Sequence, residues 1–144
     1  MIKVLFHSEA KLPLGRPAIR EIVKTASLLE PKIRGEVEIN IVDDKAIKKL
    51  NKFYRNKNKT TDVLSFAWQE DKLIKSDFLG QIYISLPQIK RQAKGYKVTE
   101  KAELARMMVH GLLHLAGHNH SRAGRAKKMF ILQEKILAKI NPIK

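Results

Sequence analysis

Cysteine is absent from the chain. That excludes a disulfide framework and every thiolate metal site, and it suits a reducing compartment. Long apolar runs are missing as well. No segment approaches the roughly 18 apolar residues of a membrane span. The opening stretch MIKVLFHSEAKLP holds too short an apolar run for a secretory signal. A cytoplasmic protein without a membrane association is therefore expected. Acidic residues are scarce: 14 Asp and Glu stand against 29 Lys and Arg, a formal charge of +15. Such an excess attracts polyanions by neutralising phosphates and releasing their counterions, so nucleic acid is the leading partner. An anionic membrane surface is a weaker rival, because no segment joins a basic face to exposed Trp or Phe in the manner of interfacial helices. Repeats, low-complexity tracts and linkers are also lacking, and 144 residues suit one domain over 1–144.

What the chain does have is histidine in one place. Residues 110–120, HGLLHLAGHNH, contain His110, His114, His118 and His120, four of its five histidines. On a helix, positions i and i+4 lie one above the other, so His110 and His114 can each offer a nitrogen to the same ion. Continuing the helix would carry His120 to another face. Gly117 allows a left-handed stop, after which the chain can reverse and bring His120 to the same point. Val109, Leu112, Leu113, Leu115 and Ala116 make the setting apolar, which disfavours unpaired imidazoles. The pattern predicts a site with three histidine ligands. Three neutral ligands leave a tetrahedral zinc one position short, the mark of a catalytic rather than a structural site. A zinc peptidase helix reads H-E-x-x-H, with the Glu as general base. Here that position is Gly111, so a metallopeptidase is disfavoured.

The stretch H-G-x-L-H-L-x-G-x-x-H, read from His110 to His120, resembles the signature of the YbeY family of bacterial endoribonucleases that mature ribosomal RNA. Asn51, Tyr54 and Arg55 followed by TTDVLSF at 60–66, LGQIYIS at 79–85, and MMVHG leading into the signature add to the likeness, which spans nearly the whole chain. The resemblance implies one zinc ion per chain held by His110, His114 and His120, with Arg55 as the basic residue facing the site and His114 and Arg55 as the residues on which catalysis depends. It further implies a single-strand-specific endoribonuclease acting in maturation of the 3′ end of 16S rRNA and in ribosome quality control. The implied partners are ribosomal RNA and the small subunit, with ribosomal proteins or assembly factors alongside. Three positions depart from the family pattern. His118 replaces an aromatic and Asn119 an acid before His120, and Gln81 stands where an acid commonly follows Leu-Gly, which removes negative charge near the cleft.

Local patterns predict an α+β fold: a mixed sheet of about four strands packed with about five helices, one of them a zincin-like metal helix. Strands are expected at 2–6, 35–42, 61–68 and 79–86, with the last two antiparallel across a charged connection at 69–77. His7 is expected in solvent at a strand end. Helices are expected from Pro17 to about Glu30, from a cap at Asp43 or Asp44 through Tyr54, and from Pro87 to about Lys94, where Gly95 ends the third. A fourth runs from a Thr99 cap through the histidines. The fifth runs from a Ser121 cap to about Ile140, with Ala126, Met129, Phe130, Gln133, Ile136, Leu137 and Ile140 inward. In the second helix Ala46, Ile47, Leu50 and Phe53 or Tyr54 form the buried stripe. Glu103, two turns before His110, is expected as a solvated carboxylate near the helix start, and His118 as a solvent-facing turn residue. Arg55, Thr61, Asp62 and Ser65 fall on segments that can line a cleft. Besides the endoribonuclease, two readings stay open: a non-enzymatic RNA- or ribosome-binding factor whose metal is structural, closed by a fourth ligand such as His118, and a metallopeptidase.

Overall fold

The computed structural model describes residues 2–68 and 77–140. In chain order the elements are β1 (Ile2–Ser8), α1 (Arg16–Leu29), β2 (Gly35–Val42), α2 (Asp44–Arg55), β3 (Val63–Ala67), β4 (Phe78–Ser85), α3 (Leu86–Tyr96), α4 (Glu100–Leu115) and α5 (Ala123–Ile140). The strands form one sheet in the order β1-β2-β4-β3. This is the expected α+β architecture, with five helices and a mixed four-stranded sheet among the described residues.

Strand direction follows from the connections. A parallel neighbour needs a crossover, and α1 supplies one between β1 and β2, which pair in parallel with Val4 opposite Val37. β2 and β4 are also parallel, with Ile39 opposite Ile82. β3 runs antiparallel to β4, Ser65 opposite Ile82, as the short connection between them predicts. Most of that charged connection lies outside the described residues. Alternation along the strands places Val37, Ile39, Ile41, Ile82 and Ile84 on the face covered by helices, all buried. Leu104, Met108, Leu112 and Leu113 of α4 are likewise fully buried. Each such side chain contributes roughly 1.5–3 kcal/mol through burial, so α4 is held at the centre of the core by its own apolar sequence.

Several details differ from the sequence-based expectations. Asp43 is the cap of α2, accepting from the Ala46 amide at 2.8 Å. Asp44 instead accepts from Arg91 at 2.8 and 2.9 Å and from Ser85 Oγ at 2.8 Å, which joins α2 to α3. Gly95 does not end α3. The helix continues to Tyr96, and Lys97 at φ 56° makes the left-handed stop, its amide bonding back to the last turn. Phe53 and Tyr54 are exposed rather than buried, because the inward stripe of α2 is filled by Ile47 and Asn51. Asn51 donates to the Lys59 carbonyl at 3.0 Å and so pins the loop after α2. Phe130 is also exposed, whereas Met129, Gln133 and Ile136 of α5 face inward as expected. Ser121 does not cap α5: its hydroxyl and amide both turn back to Asn119 Oδ1, at 2.7 and 3.3 Å. His7 is exposed at the end of β1, 3.7 Å from Glu38.

Candidate metal centre

Helix α4 carries the site and stops where the site needs it to. Thr99 Oγ1 accepts from the Ala102 amide at 3.0 Å at one end. At the other, the Gly117 amide bonds to the His114 carbonyl at 3.0 Å and the His118 amide to the Leu113 carbonyl at 2.9 Å. These two reversed bonds form a Schellman motif with Gly117 at the left-handed position, φ 97°. A Cβ at Gly117 would meet nothing within 4 Å, so the backbone angle and not space selects glycine there. The reversal returns the chain towards α4 and brings His120 beside the pair on the helix.

The three imidazoles meet. His110 and His114 face one another with Nε2 atoms 3.1 Å apart. The ring of His120 lies 5.8 Å from that of His110 and 5.2 Å from that of His114 between centroids. One ligand atom from each lies within 4.8 Å of the others. Two nitrogens bound to one zinc at 2.0–2.1 Å stand at most about 4.2 Å apart. The His110–His114 pair already meets that limit, and His120, the exposed member, sits on the turn that can close the remainder.

The protonation states also suit a cation. His114 is pushed down to about 4, first by burial, then by the neighbouring His110 and His120 and by the Arg55 guanidinium, against a backbone hydrogen bond with His118 that acts the other way. Burial likewise lowers His110, opposed by its bond to Gln133 and by the charge of Asp62. Both rings are neutral at neutral pH, the form that offers a lone pair to a metal. Gln133 Oε1 accepts from His110 Nδ1 at 2.9 Å, which leaves Nε2 of His110 as the free lone pair pointing into the cluster.

Gln133, which periodicity assigned only to the core, holds the ring of His110. A buried polar side chain on the inward face of α5, 6% exposed, is the signal that could have marked it. Replacing Gln133 with leucine is expected to weaken metal binding roughly 10–100-fold, the usual cost of losing an outer hydrogen bond to a ligand histidine. Competition with a chelating dye measures this. Affinity equal to the wild type would show that the Gln133 contact does not orient His110.

Around the cluster, Ser65 Oγ donates to the Gly111 carbonyl at 3.4 Å, and Arg55 Nη2 donates to the Ser65 carbonyl on the edge strand at 3.4 Å. Arg55 is thus within electrostatic reach of His114, and Asp62 of His110. Asp62 also accepts from the Val63 amide at 2.7 Å and from Thr61 Oγ1 at 3.4 Å, so the expected cleft segment gathers at the site.

Other expected positions differ. Glu103 is not solvated: it is 1% exposed, bound by Arg106 at 2.6 and 2.9 Å and by Gln92 at 2.6 Å. A carboxyl group so deep in a helix bundle needs those partners. His118 does not face solvent. Its Nε2 lies 2.7 Å from Glu30 Oε2 at the end of α1, with both side chains largely covered. Burial raises the Glu30 carboxyl, but its bonds to His118 and the Lys32 amide win and hold it below the usual range. His118 therefore ties the ligand turn to α1 and points away from the three rings. Gln81 is not beside the cluster. Its neighbours Gly80 and Ile82 face α4, so Gln81 lies on the opposite side of the sheet, where it donates to Glu38 at 3.1 Å.

Comparison with known proteins gives the family of the chain. A family model described as Endoribonuclease YbeY matches residues 9–141. The chain belongs to the YbeY family. Relatives named Endoribonuclease YbeY include one from Malacoplasma penetrans, 36% identical over 141 residues, covering 95% of this chain and 93% of the relative. One from Acholeplasma laidlawii is 40% identical over 121 residues, covering 84% and 86%. A third, from Myxococcus xanthus, is 46% identical over 115 residues, covering 78% of this chain but 39% of the relative, so the chain spans about two fifths of that longer YbeY protein. Among solved structures, the solution structure of a Thermotoga maritima protein superposes with a TM-score of 0.63 at 26% identity, covering 97% of this chain and 89% of that one.

Proposed function

We propose that the protein is a metal-dependent endoribonuclease, one domain over 1–144, holding one zinc ion on His110, His114 and His120 and cutting single-stranded RNA. The convergence of three imidazole nitrogens within 4.8 Å of one another carries the reading. When bound, such an ion supplies Lewis acidity to a phosphoryl oxygen and acidifies water. The chain's own residues supply the rest. Arg55 presents a planar fork that suits two phosphate oxygens and stabilises the charge that grows on them. Gln133 fixes the ring of His110, and the Glu30–His118 pair anchors the turn that carries His120. The charge of +15 favours a polyanionic substrate. By family, that substrate is ribosomal RNA in the cytoplasm, with action at the 3′ end of 16S rRNA and in quality control of small subunits, in contact with ribosomal proteins or assembly factors.

The reading is tested by cleavage of a single-stranded RNA by purified protein before and after chelation, with metal content measured in parallel. Cleavage should vanish with the metal and return with zinc. Undiminished cleavage by metal-free protein counts decisively against it.

Two alternatives are less well supported. A structural metal would need its shell closed, and the fourth histidine of the cluster, His118, is engaged by Glu30 instead. A peptidase would need a carboxylate at Gly111. A Cβ there would stand 3.1–3.2 Å from Ile82 and Ser65 Oγ, because α4 lies directly on β3 and β4. Gly111→Glu is therefore expected to lower stability by about 1–3 kcal/mol through overpacking, and to confer no peptide hydrolysis. Thermal melting and a casein assay check both parts. An unshifted melting temperature would show that the helix has room to move.

A further inference from the structure

Phe53 and Tyr54 stand 81% and 60% exposed at the end of α2, immediately before Arg55. Large aromatic rings left in water commonly mark a binding surface. These rings are also ordered against one another. Phe53 meets Tyr54 edge to face at 4.8 Å between centroids, Tyr54 leans on Phe66 of β3 at 5.0 Å, and Phe66 meets Tyr83 of β4 at 5.9 Å. The sheet thus backs Tyr54 and leaves its other side and Phe53 open. The depression they line is completed by Lys49, Leu50, Lys52 and Asn56, with no carboxylate among its lining residues.

We propose that Phe53 and Tyr54, flanked by Lys49 and Lys52, form a stacking platform for unpaired nucleobases of a single-stranded nucleic acid whose backbone passes Arg55. The proposal rests on the endoribonuclease reading and deepens it, because it names what holds the strand where it passes Arg55, with the rings backed by Phe66 on the sheet face opposite α4. Flat rings accept the π-face of any base, and lysines beside them neutralise phosphates, the combination that binds single strands without reading sequence. A duplex keeps its bases stacked inside and cannot use such a platform. Preference for single strands follows from Phe53 and Tyr54 rather than from the metal. An acidic or apolar protein partner would use the lysines or the rings alone, whereas a polynucleotide uses both.

The test compares two labelled strands of equal length and charge, an oligodeoxyadenylate and an abasic deoxyribose-phosphate strand, neither of which a ribonuclease cuts. Affinities are read by fluorescence anisotropy over a range of salt. Phe53→Ala with Tyr54→Ala should weaken the oligodeoxyadenylate on the order of tenfold or more, since stacking on one ring is worth roughly 5- to 150-fold per base. Binding of the abasic strand and the salt slope should stay unchanged. Lys49→Gln with Lys52→Gln should do the reverse, weakening both strands and flattening the slope. Phe53→Ala alone touches no buried contact and guards against misfolding, and Phe53→Trp should retain affinity.

Equal losses on both strands, or no loss on either, overturn the platform. So does sedimentation showing that the wild type self-associates and the Phe53 variant does not, which would assign the rings to a second copy of this chain. Cleavage of oligoadenylate RNA by zinc-loaded wild type, run alongside, separates the two claims. If the wild type cuts RNA yet binds both strands alike, the platform alone fails; if it neither cuts nor binds, the endoribonuclease reading fails with it.

Discussion

Replacing His114 with alanine is expected to abolish RNA cleavage, lowering the rate by roughly 10⁴ or more, the scale seen when one member of a group that acts as a unit is removed. His114 is the middle of the three rings, 3.1 Å from His110 between nitrogens and 5.2 Å from His120 between centroids. Without it two imidazoles remain, and zinc content should fall well below one per chain. The fold should survive, because the side chain is only part-buried and the helix around it is held by Leu112, Leu113 and Leu115.

A second readout does not involve activity. In the unfolded chain His114 takes up a proton near pH 6.5, and in the folded metal-free chain near 4. Between those values the unfolded state binds more protons, so acid favours unfolding. Metal-free wild type should therefore lose stability as pH falls below about 6.5, with this contribution gone by about 4. His114→Ala removes that part of the slope, and the melting temperatures at neutral pH and near pH 5 should lie closer together than in the wild type. Cleavage by the variant at the wild-type rate, or an unchanged pH response, would sink the assignment of His114.

The helix that carries His110 and His114 was legible because its determinants are local. A four-residue histidine spacing, an apolar surround and one glycine fix the face, the burial and the stop of α4 within eleven consecutive positions. The strands and the direction of β3 against β4 were legible for the same reason: period-two alternation and a short connection. Parallel pairing of β2 with β4 was not, because it depends on where α2 and β3 pack between them in sequence.

Long-range partnerships were equally hidden. His118 meets Glu30 across 88 positions, and His110 meets Gln133 across 23. Nothing in either local pattern marks one residue for the other. Glu103 illustrates the bias this creates. A carboxylate in a first helical turn suits the dipole in solvent as well as in a core, and only Arg106 and Gln92 decide for the core. Phe53 and Tyr54 went the other way: a helical stripe cannot reveal which side chains of its last turn stay in water.

Arg55 offers the sharpest separation of a chemical role from a structural one. At the C-terminal end of α2 a cation interacts favourably with the helix dipole, and if that were its only task, Arg55→Ala would cost a little stability and nothing else. The geometry leads to a different expectation. Arg55 is exposed, is held against the edge strand by a long bond to the Ser65 carbonyl, and lies near enough to His114 to lower its pKa. On the endoribonuclease reading proposed above its fork meets phosphate oxygens as charge grows on them, and it should contribute about 10³-fold or more to kcat, the scale of arginines that stabilise a transferring phosphoryl group. Arg55→Lys should recover only part of this, since an ammonium lacks the fork. Zinc content should stay at the wild-type level in both variants, because neither touches a ligand.

The metal-free protein gives an independent check on the same contact. Removing the guanidinium removes one of the charges that hold His114 down, so the His114 ring resonances should titrate at higher pH in Arg55→Ala than in the wild type, and Arg55→Lys should lie between them. A fall in kcat with an unmoved His114 titration would place Arg55 on the substrate but away from the metal. A moved titration with unchanged kcat would leave it as a bystander charge, and the phosphate would then need another cation.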